Sequence, residues 1–248
     1  MLSRYPQSDL SQAPGEQMKQ TNLASIEPTA AAAETGQTVT ELTAARIRER
    51  VISGTLSPGS HLSEAALCEE LQISRNTLRE VFRLLTTEGV LRHEANRGVF
   101  VTTPSISTII DIFHIRRLIE CSALAGAHHR HPSVGKMRAA IDAAIRHRDA
   151  GEWLSVGSAD IAFHAAIVEL ADSPRLSAFY AQISLELRLV FGLIRDPEYL
   201  HAPYVGQNAT ILAHLEEGAT STAAEALEKY LYQAERFILA AYSRAMPG

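Results

Sequence analysis

The chain has 248 residues, 46% of them apolar, which is enough to bury one large hydrophobic core or two ordinary ones. Its 23 Lys and Arg residues against 28 Asp and Glu residues give a net charge of −5, which argues against general, charge-driven coating of nucleic acid. No apolar run approaches the roughly 18 residues that a membrane span needs, and no signal pattern opens the chain. The cysteines, Cys68 and Cys121, lie far apart without metal-ligand spacing, so we expect free thiols. Together these features predict a soluble, cytoplasmic protein with no membrane partner.

The first 38 residues are rich in Ser, Gln, Thr, Pro and Ala, and such a segment cannot bury enough surface to offset the entropy of ordering. We therefore expect a disordered tail over residues 1–38. An apolar stripe then predicts a helix that begins near Val39 and stops at Gly54. A turn signal follows at residues 56–59, and Ser63 can cap a second short helix.

Residues 74–83 predict a third helix with a basic face. Ser74 is a natural N-cap, and Arg side chains recur at every fourth position after it, so they share one exposed face. Arg can bond guanine through two hydrogen bonds, Asn can bond adenine, and a helix N-terminus favours phosphate. The residues that could read DNA from the front of this helix are Arg75, Asn76, Thr77 and Arg79. The alternative is a solvated helix face that carries no function.

Two short strands are predicted next, at residues 90–93 and 99–102, with a turn between them whose Asn and Gly suit special backbone angles. A helix-turn-helix followed by a β-hairpin is a winged helix, and the tip of its wing would carry Asn96 and Arg97 towards the DNA. Eight Arg and eight Glu residues occur between positions 41 and 103, so this domain is neutral overall. A single copy should therefore bind DNA weakly, and a dimer would double the phosphate contacts.

Residues 41–103 resemble the DNA-binding domain of the GntR superfamily of transcriptional regulators. Four segments carry the resemblance in the right order and spacing: residues 54–64, 73–80, 85–90 and 97–101. The resemblance implies binding of double-stranded operator DNA by the residues Arg75, Thr77 and Arg79, with help from Asn76 and from the wing residues Asn96, Arg97 and Gly98. This chain departs from many FadR-type members at Ala65, where they often carry a basic residue, which puts one expected operator contact in doubt.

From Pro104 onward the chain reads almost entirely as helix. Six helices with short links, at about 107–130, 134–149, 152–171, 174–195, 202–217 and 220–244, predict an antiparallel bundle over residues 104–248. The expected fold is therefore mainly α: a winged helix-turn-helix at 39–103, then an antiparallel all-helical domain for ligand binding and dimerisation. The expected bundle core consists of Ile109, Ile112, Leu118, Leu124, Ile141, Ile145, Trp153, Phe163, Ile167, Leu176, Phe179, Ile183, Leu187, Phe191, Ile211, Leu215, Leu227, Leu231 and Ile238.

Two polar residues on one helix face point to a site inside this bundle. Asp160 and His164 are four residues apart, and the apolar Phe163 and Ile167 beside them suggest that this face looks inward. A carboxylate and an imidazole at that spacing can jointly ligate a divalent metal. They can equally bond each other as a structural pair, and the spacing leaves both readings open.

The helical half resembles the FCD ligand-binding domain of FadR-like GntR regulators, on residues 115–120, 160–167, 211–212 and 217–218. Many FCD domains hold a metal with this Asp, this His and two further His residues, whose positions fall here on Asn208 and Tyr230. Neither is a good ligand for a transition metal, so the metal site would be incomplete. We expect no cofactor and an effector that binds without a tightly held metal; a divalent metal on Asp160 and His164 is the alternative.

An Arg facing this pocket would suit a ligand carboxylate, which it can bond through two hydrogen bonds. The resemblance favours Arg116 for this role over Arg117, with Arg188 as a weaker candidate, while Asn208 and Tyr230 would offer hydrogen bonds. The alternative is an Arg116–Glu120 ion pair on a helix surface. Such a pocket fits a small organic acid or sugar acid better than a long acyl chain.

The leading hypothesis is a ligand-responsive transcriptional repressor that binds a palindromic operator as a homodimer, because two-fold protein symmetry matches half-sites in DNA. The effector would act by changing the spacing of the two recognition helices. A metal-sensing regulator that uses Asp160 and His164 and a purely structural DNA-binding protein remain alternatives. An enzyme is not expected, because the chain shows no nucleophile elbow, phosphate loop or complete metal triad.

Overall fold

A computed structural model describes residues 38–194 and 196–245, so the expected disordered tail lies outside the described residues apart from Thr38. The first half contains α1 (Val39–Ile52), β1 (His61–Leu62), α2 (Glu64–Leu71), α3 (Arg75–Thr87), β2 (Leu91–Glu94) and β3 (Gly98–Val101). The second half contains α4 (Ile106–Arg116), a π-helical turn (Arg117–Cys121), α5 (Ser122–Ala125), α6 (Pro132–Asp149), α7 (Trp153–Glu169), α8 (Pro174–Phe191), α9 (Pro197–Glu216) and α10 (Thr220–Ala245). This order confirms the predicted mainly α fold, a winged helix-turn-helix followed by a helical domain.

Side-chain caps start the helices of the DNA-binding half. Thr38 and Glu41 form a reciprocal capping box at α1. Ser63 and Ser74 accept backbone N–H groups at the starts of α2 and α3. The turn between α2 and α3 passes through Gln72, whose φ of 53° lets the chain reverse within a few residues.

A three-stranded antiparallel sheet in the order β1-β3-β2 closes this half. We call the β2–β3 hairpin, residues 91–101, the wing; Leu91 pairs with Val101 and Glu94 with Gly98. The short strand β1 was not predicted, because its two residues carry no alternating pattern. The apolar faces of the helices and the sheet form one core, which is completed from the other half of the chain by Leu189 of α8.

The helical domain buries a separate and larger core between its helices. Two of the expected core positions are wrong: Leu118 is 62% exposed and Phe179 is 44% exposed. Around the π-helical turn that contains Leu118, the inward positions belong instead to the polar residues Arg116 and Glu120, each two positions away from Leu118. On α8 the inward position is that of Tyr180, so the preceding Phe179 points outward.

Three predicted helix boundaries also differ from the structure. The expected helix at 107–130 contains a π-helical turn at Arg117–Cys121 and its last helical segment ends at Ala125. The helix expected at 174–195 ends at Phe191. The helix expected at 202–217 begins at Pro197, because the Asp196 side chain accepts the backbone N–H of Tyr199 and caps it. Nowhere in the described residues is a helix both long and apolar enough to cross a membrane.

Candidate functional site

The start of α3 presents the residues predicted to read DNA. Arg75 and Asn76 are exposed on its first turn. Thr77 is half-buried, its backbone N–H donates to Ser74 Oγ at 3.1 Å, and its hydroxyl lies 2.9 Å from the same oxygen. Thr77 therefore takes part in the helix cap, which holds the exposed Arg75 and Asn76 in place.

Arg79 continues this face one turn further along α3. Its side chain is exposed, and its Nε lies 3.7 Å from Glu64 Oε2 on α2. On the same face Arg83 forms an exposed ion pair with Glu80. Exposed pairs of this kind contribute little to stability, so a phosphate or a base edge can displace the carboxylates at small cost.

The wing tip carries the second group of predicted DNA contacts. Asn96 adopts a φ of 61°, which fits the expected turn. The exposed Arg97 pairs with Glu94 at 2.5 Å, and its guanidinium lies 5.4 Å from the Phe100 ring centroid. Gly98 has a φ of 102°, and a Cβ there would lie 2.9 Å from His61 Nε2, so this glycine serves the shape of the wing.

A groove of about 540 Å³ separates α3 from the wing and is lined by Arg79 and Arg83 on one side and His93 on the other. The structure therefore places the basic face of α3 and the base of the wing along one continuous surface.

Inside the helical domain, Arg116 and Glu120 form an ion pair with Nε to Oε1 at 2.7 Å. Arg116 is 2% exposed and Glu120 is fully buried, so the pair does not lie on the helix surface. Glu120 also accepts a hydrogen bond from the Tyr180 hydroxyl at 2.5 Å, and its Oε2 lies 2.6 Å from His164 Nδ1. Three elements of the domain thus converge on one carboxylate.

The same cluster extends from His164 to Asp160. The Tyr230 hydroxyl donates to Asp160 Oδ1 at 3.1 Å and lies 3.1 Å from His164 Nε2. The Asn208 amide donates to Asp160 Oδ1 at 2.7 Å. We call this connected set the central network; it consists of Arg116, Glu120, Asp160, His164, Tyr180, Asn208 and Tyr230.

The charges of the central network stabilise each other. Burial acts to raise the pKa of Glu120, but the facing Arg116 and His164 outweigh it and lower this pKa to about 2. Burial and the neighbouring Asp160 raise the pKa of Tyr230 well above its ordinary range. Burial and Glu120 do the same for Tyr180, so both phenols remain protonated and able to donate.

Two buried polar atoms of the central network have no hydrogen-bond partner within the described part of the chain. They are Nη2 of Arg116, a donor, and Oδ1 of Asn208, an acceptor. Buried polar groups are normally paired, so these two atoms mark where a bound molecule could supply the missing bonds. An acceptor such as a carboxylate would satisfy the first atom, and a donor such as a hydroxyl would satisfy the second.

Five of the six predicted ligand-binding residues meet in this network, while Arg188 stands beside it. Its Nη2 donates to Ser158 Oγ at 3.0 Å, and its Nε is buried without a partner among the described residues. Burial lowers the pKa of Arg188 to about 10, although the nearby Asp160 acts in the opposite direction. Nothing in the sequence marks Tyr180 as a site residue, because a lone Tyr in an apolar helix is typical of a core position.

The side chains around Asp160 and His164 form an incomplete donor set for a transition metal. The facing atoms of Asp160 and His164 lie 3.8 Å apart, which suits two ligands of one ion, but the neighbouring side chains are those of Asn208 and Tyr230, which both donate to the Asp160 oxygen. His214 lies 3.9 Å from Glu217 at the end of α9. Across residues 38–194 and 196–245, no group of three or more His, Cys, Asp or Glu side chains is arranged to hold a metal ion.

A winged helix-turn-helix joined to a helical domain with a buried polar network defines a class of two-domain transcriptional regulators. Residues 40–101 match the family described as bacterial regulatory proteins of the gntR family, and residues 111–233 match the FCD domain. The chain therefore belongs to the GntR family, with an FCD domain as its C-terminal half.

Similar proteins support this assignment. A solved chain from Rhodococcus sp. RHA1, described as a GntR transcriptional regulator, is 37% identical, with a TM-score of 0.80 over 82% of this chain and 98% of that chain. The E. coli McbR/YncC structure, at 18% identity and a TM-score of 0.71, covers 83% of this chain and 99% of its own and supports the fold alone.

Among characterised relatives, the Nta operon transcriptional regulator of Aminobacter aminovorans is 31% identical over 142 residues, which are 55% of this chain and 66% of the relative. The galactonate operon transcriptional repressor of Escherichia coli K12 is 28% identical over 165 residues, 58% of this chain and 71% of the relative. The chain thus spans just under two thirds of the first of these relatives. Both are transcriptional regulators, and this chain is a transcriptional regulator rather than an enzyme.

Proposed function

We propose that the protein is a repressor that binds a palindromic operator as a homodimer and is released from it by a small hydroxy-carboxylate, such as a sugar acid. The observation that carries this proposal is the central network, in which Arg116 Nη2 and Asn208 Oδ1 are buried and have no hydrogen-bond partner among the described residues. A carboxylate accepts from the first atom, and a hydroxyl donates to the second.

The names of relatives point to the same chemical class. The E. coli relative is a galactonate operon repressor, and relatives in Bacillus licheniformis and Bacillus subtilis are gluconate operon repressors. Galactonate and gluconate each combine one carboxylate with several hydroxyls, which is the combination that the two unpartnered atoms require.

On the DNA, α3 would enter the major groove with Arg75, Asn76 and Arg79 towards the base edges, and Arg97 on the wing would reach the backbone or the minor groove. The eight Arg and eight Glu residues between positions 41 and 103 leave the domain without net positive charge. Two copies on one operator would supply the phosphate contacts that one neutral domain lacks.

The dimer contact would use the apolar surface that the helical domain leaves exposed. Leu118 is the most exposed of the large apolar side chains in the described residues, and it borders a groove of about 410 Å³ with Leu170 and Leu176. A second copy covering this surface would remove the side chains from water.

The test is a fluorescence-anisotropy titration of the full chain on an operator selected from random DNA, with and without a panel of sugar acids. One or more acids should weaken operator binding at least tenfold. Tyr230→Phe, which removes the hydroxyl between Asp160 and His164, should reduce that response without changing the operator affinity of the ligand-free protein.

Tyr232→Phe is the matched control, because Tyr232 is exposed on the same helix, α10. It should respond to the acids as the wild type does. If no acid changes the operator affinity, or if Tyr230→Phe responds like the control, the proposal fails.

A further inference from the structure

A cavity at the junction of the two domains lies beside the central network and shares no lining residue with it. Its volume is about 330 Å³, and it lies between the end of α1 with the loop that follows it and the helices α7, α8 and α9. Its apolar walls come from both domains, with Ile52, Leu56 and Pro58 on one side and Leu154, Phe191 and Leu200 on the other. We call it the junction cavity.

Among the described residues that line the cavity, Arg188 brings a positive charge to a largely apolar wall. Arg188 lines the junction cavity, is buried, and its Nε has no hydrogen-bond partner within the described residues. Within the described part of the chain Arg188 donates to the neutral hydroxyl of Ser158 and no carboxylate is bonded directly to it, although Asp160 is near enough to affect its pKa. A pKa of about 10, lowered by burial, still keeps the guanidinium charged at neutral pH.

His201 on α9 also lines the junction cavity, together with the hydroxyl-bearing Ser53 and Ser57 of the loop after α1. It is buried with its ring edge-on to Phe191, at 4.9 Å between centroids. Burial lowers its pKa to about 4, because the nearby Asp160 only partly offsets the cost of a buried cation. His201 is therefore neutral at pH 7, and no Asp or Glu from the described residues lines the cavity.

We propose that the junction cavity binds a small carboxylic acid with an apolar body, of the aromatic or branched-chain class, whose carboxylate pairs with Arg188. The apolar walls would cover the body of the acid, and the guanidinium of Arg188 would pair with its carboxylate. This ligand differs from the proposed sugar acid because the walls of the junction cavity offer few partners for hydroxyl groups.

Such a ligand would touch both domains at once. Leu189, next to Arg188 on α8, is buried in the core of the DNA-binding half, and Pro58 packs against Gly192, where a Cβ would lie 3.1 Å from Pro58 Cδ. Occupancy of the junction cavity would thus fix the position of the DNA-binding half relative to α8. This regulatory consequence rests on the proposed function, whereas the binding itself does not.

The binding test uses isothermal titration calorimetry of the full chain with benzoate, phenylacetate and 3-methylbutanoate, and with benzyl alcohol as the uncharged comparison. At least one acid should bind at least tenfold more tightly than benzyl alcohol. Arg188→Gln should weaken that acid at least tenfold, while Arg175→Gln, an exposed position on the same helix, should bind it like the wild type.

Gly157→Ala gives a second variant that leaves Arg188 intact. A Cβ at position 157 would overlap the His201 ring, so the ring must move within the junction cavity and acid binding should weaken. Tyr232→Phe, at an exposed position on α10, should leave acid binding unchanged.

Three outcomes would overturn the proposed site: no acid binds more tightly than the alcohol, Arg188→Gln binds the acid like the wild type, or Gly157→Ala binds the acid like the wild type. The regulatory consequence is read separately by operator anisotropy with the bound acid. An unchanged operator affinity would refute the coupling and leave the site standing, whereas failure of the chain to bind any operator would refute the proposed function instead.

Discussion

Replacing Glu120 by Gln tests the idea that the charges of the central network hold the helical domain together. The change keeps the shape of the side chain and removes its charge. Glu120 is fully buried and Arg116 is 2% exposed, so the variant leaves a buried guanidinium without a counter-charge. Removing one partner of a buried ion pair typically costs about 3–5 kcal/mol.

The lowered pKa of Glu120 gives a similar value for the loss of folding stability. A fall from the model-peptide value of 4.5 to about 2 corresponds, at about 1.4 kcal/mol per pH unit, to about 3 kcal/mol of stability from the ionised carboxylate. Because the folded-state pKa is the lower one, this contribution is present above pH 4.5 and is lost as the pH falls towards 2. Glu120→Gln should therefore lower the free energy of unfolding by about 3–5 kcal/mol at pH 7.

Urea denaturation followed by Trp fluorescence measures this change in the right domain, because the single Trp, Trp153, begins α7. Glu216→Gln is the matched control: its ion pair with Arg138 is exposed and lies in the same helical domain, so the change should cost less than about 1 kcal/mol. The double variant Arg116→Met/Glu120→Gln should recover part of the loss, because no unpaired charge remains buried. A cost for Glu120→Gln no larger than that of the control would refute this reasoning.

Three further outcomes are expected. Arg79→Ala should weaken operator binding by about 1–3 kcal/mol if Arg79 contacts a base, and an unchanged affinity in anisotropy titrations would remove it from the DNA interface. Leu118→Glu should shift the protein from dimer to monomer in light scattering. Leu154→Glu, at an exposed position of α7, should leave the dimer intact. Equal masses for Leu118→Glu and the wild type would refute the dimer surface. His201 has a folded-state pKa of about 4, below its ordinary value of 6.5. Between these two values the unfolded chain holds a proton on His201 that the folded chain lacks. The free energy of unfolding should therefore fall by about 3 kcal/mol as the pH drops from 6.5 to 4. His201→Gln should flatten urea-denaturation midpoints over that window, and an unaltered pH dependence would contradict the assigned burial.

The DNA-binding half could be predicted closely because its structure is specified by short-range signals. Ser74 caps α3 through a contact three residues away, and Asn96 adopts the positive φ expected of its turn. The strand β1 was missed, since a two-residue strand is stabilised by its partner β3 and leaves no pattern of its own. Whether the exposed Arg75 and Arg79 contact DNA stays a prediction.

The central network could be predicted only in part, because burial of charge is decided by tertiary packing. The spacing of Asp160 and His164 predicts that they share an inward helix face. The same spacing between Arg116 and Glu120 also fits an ion pair on a helix surface. A pattern of apolar and charged residues treats the charged positions as exposed. It therefore predicts that Leu118, which lies between two charged residues, belongs to the core. Arg116 and Glu120 are buried because His164 and Tyr180, from two other helices, pack against them and bond Glu120. A local sequence pattern contains no information about such contacts.

Helix α8 offers the physical route by which an effector could act on DNA binding. Tyr180 near its start bonds Glu120 in the central network, Arg188 near its end lines the junction cavity, and Leu189 is buried in the core of the DNA-binding half. A packed helix moves as a unit, so a ligand that repositions either Tyr180 or Arg188 must also displace Leu189 or strain the contacts around it. The two proposed ligand sites would then act on the same element, and the binding of one ligand would change the affinity for the other by the same factor in both directions.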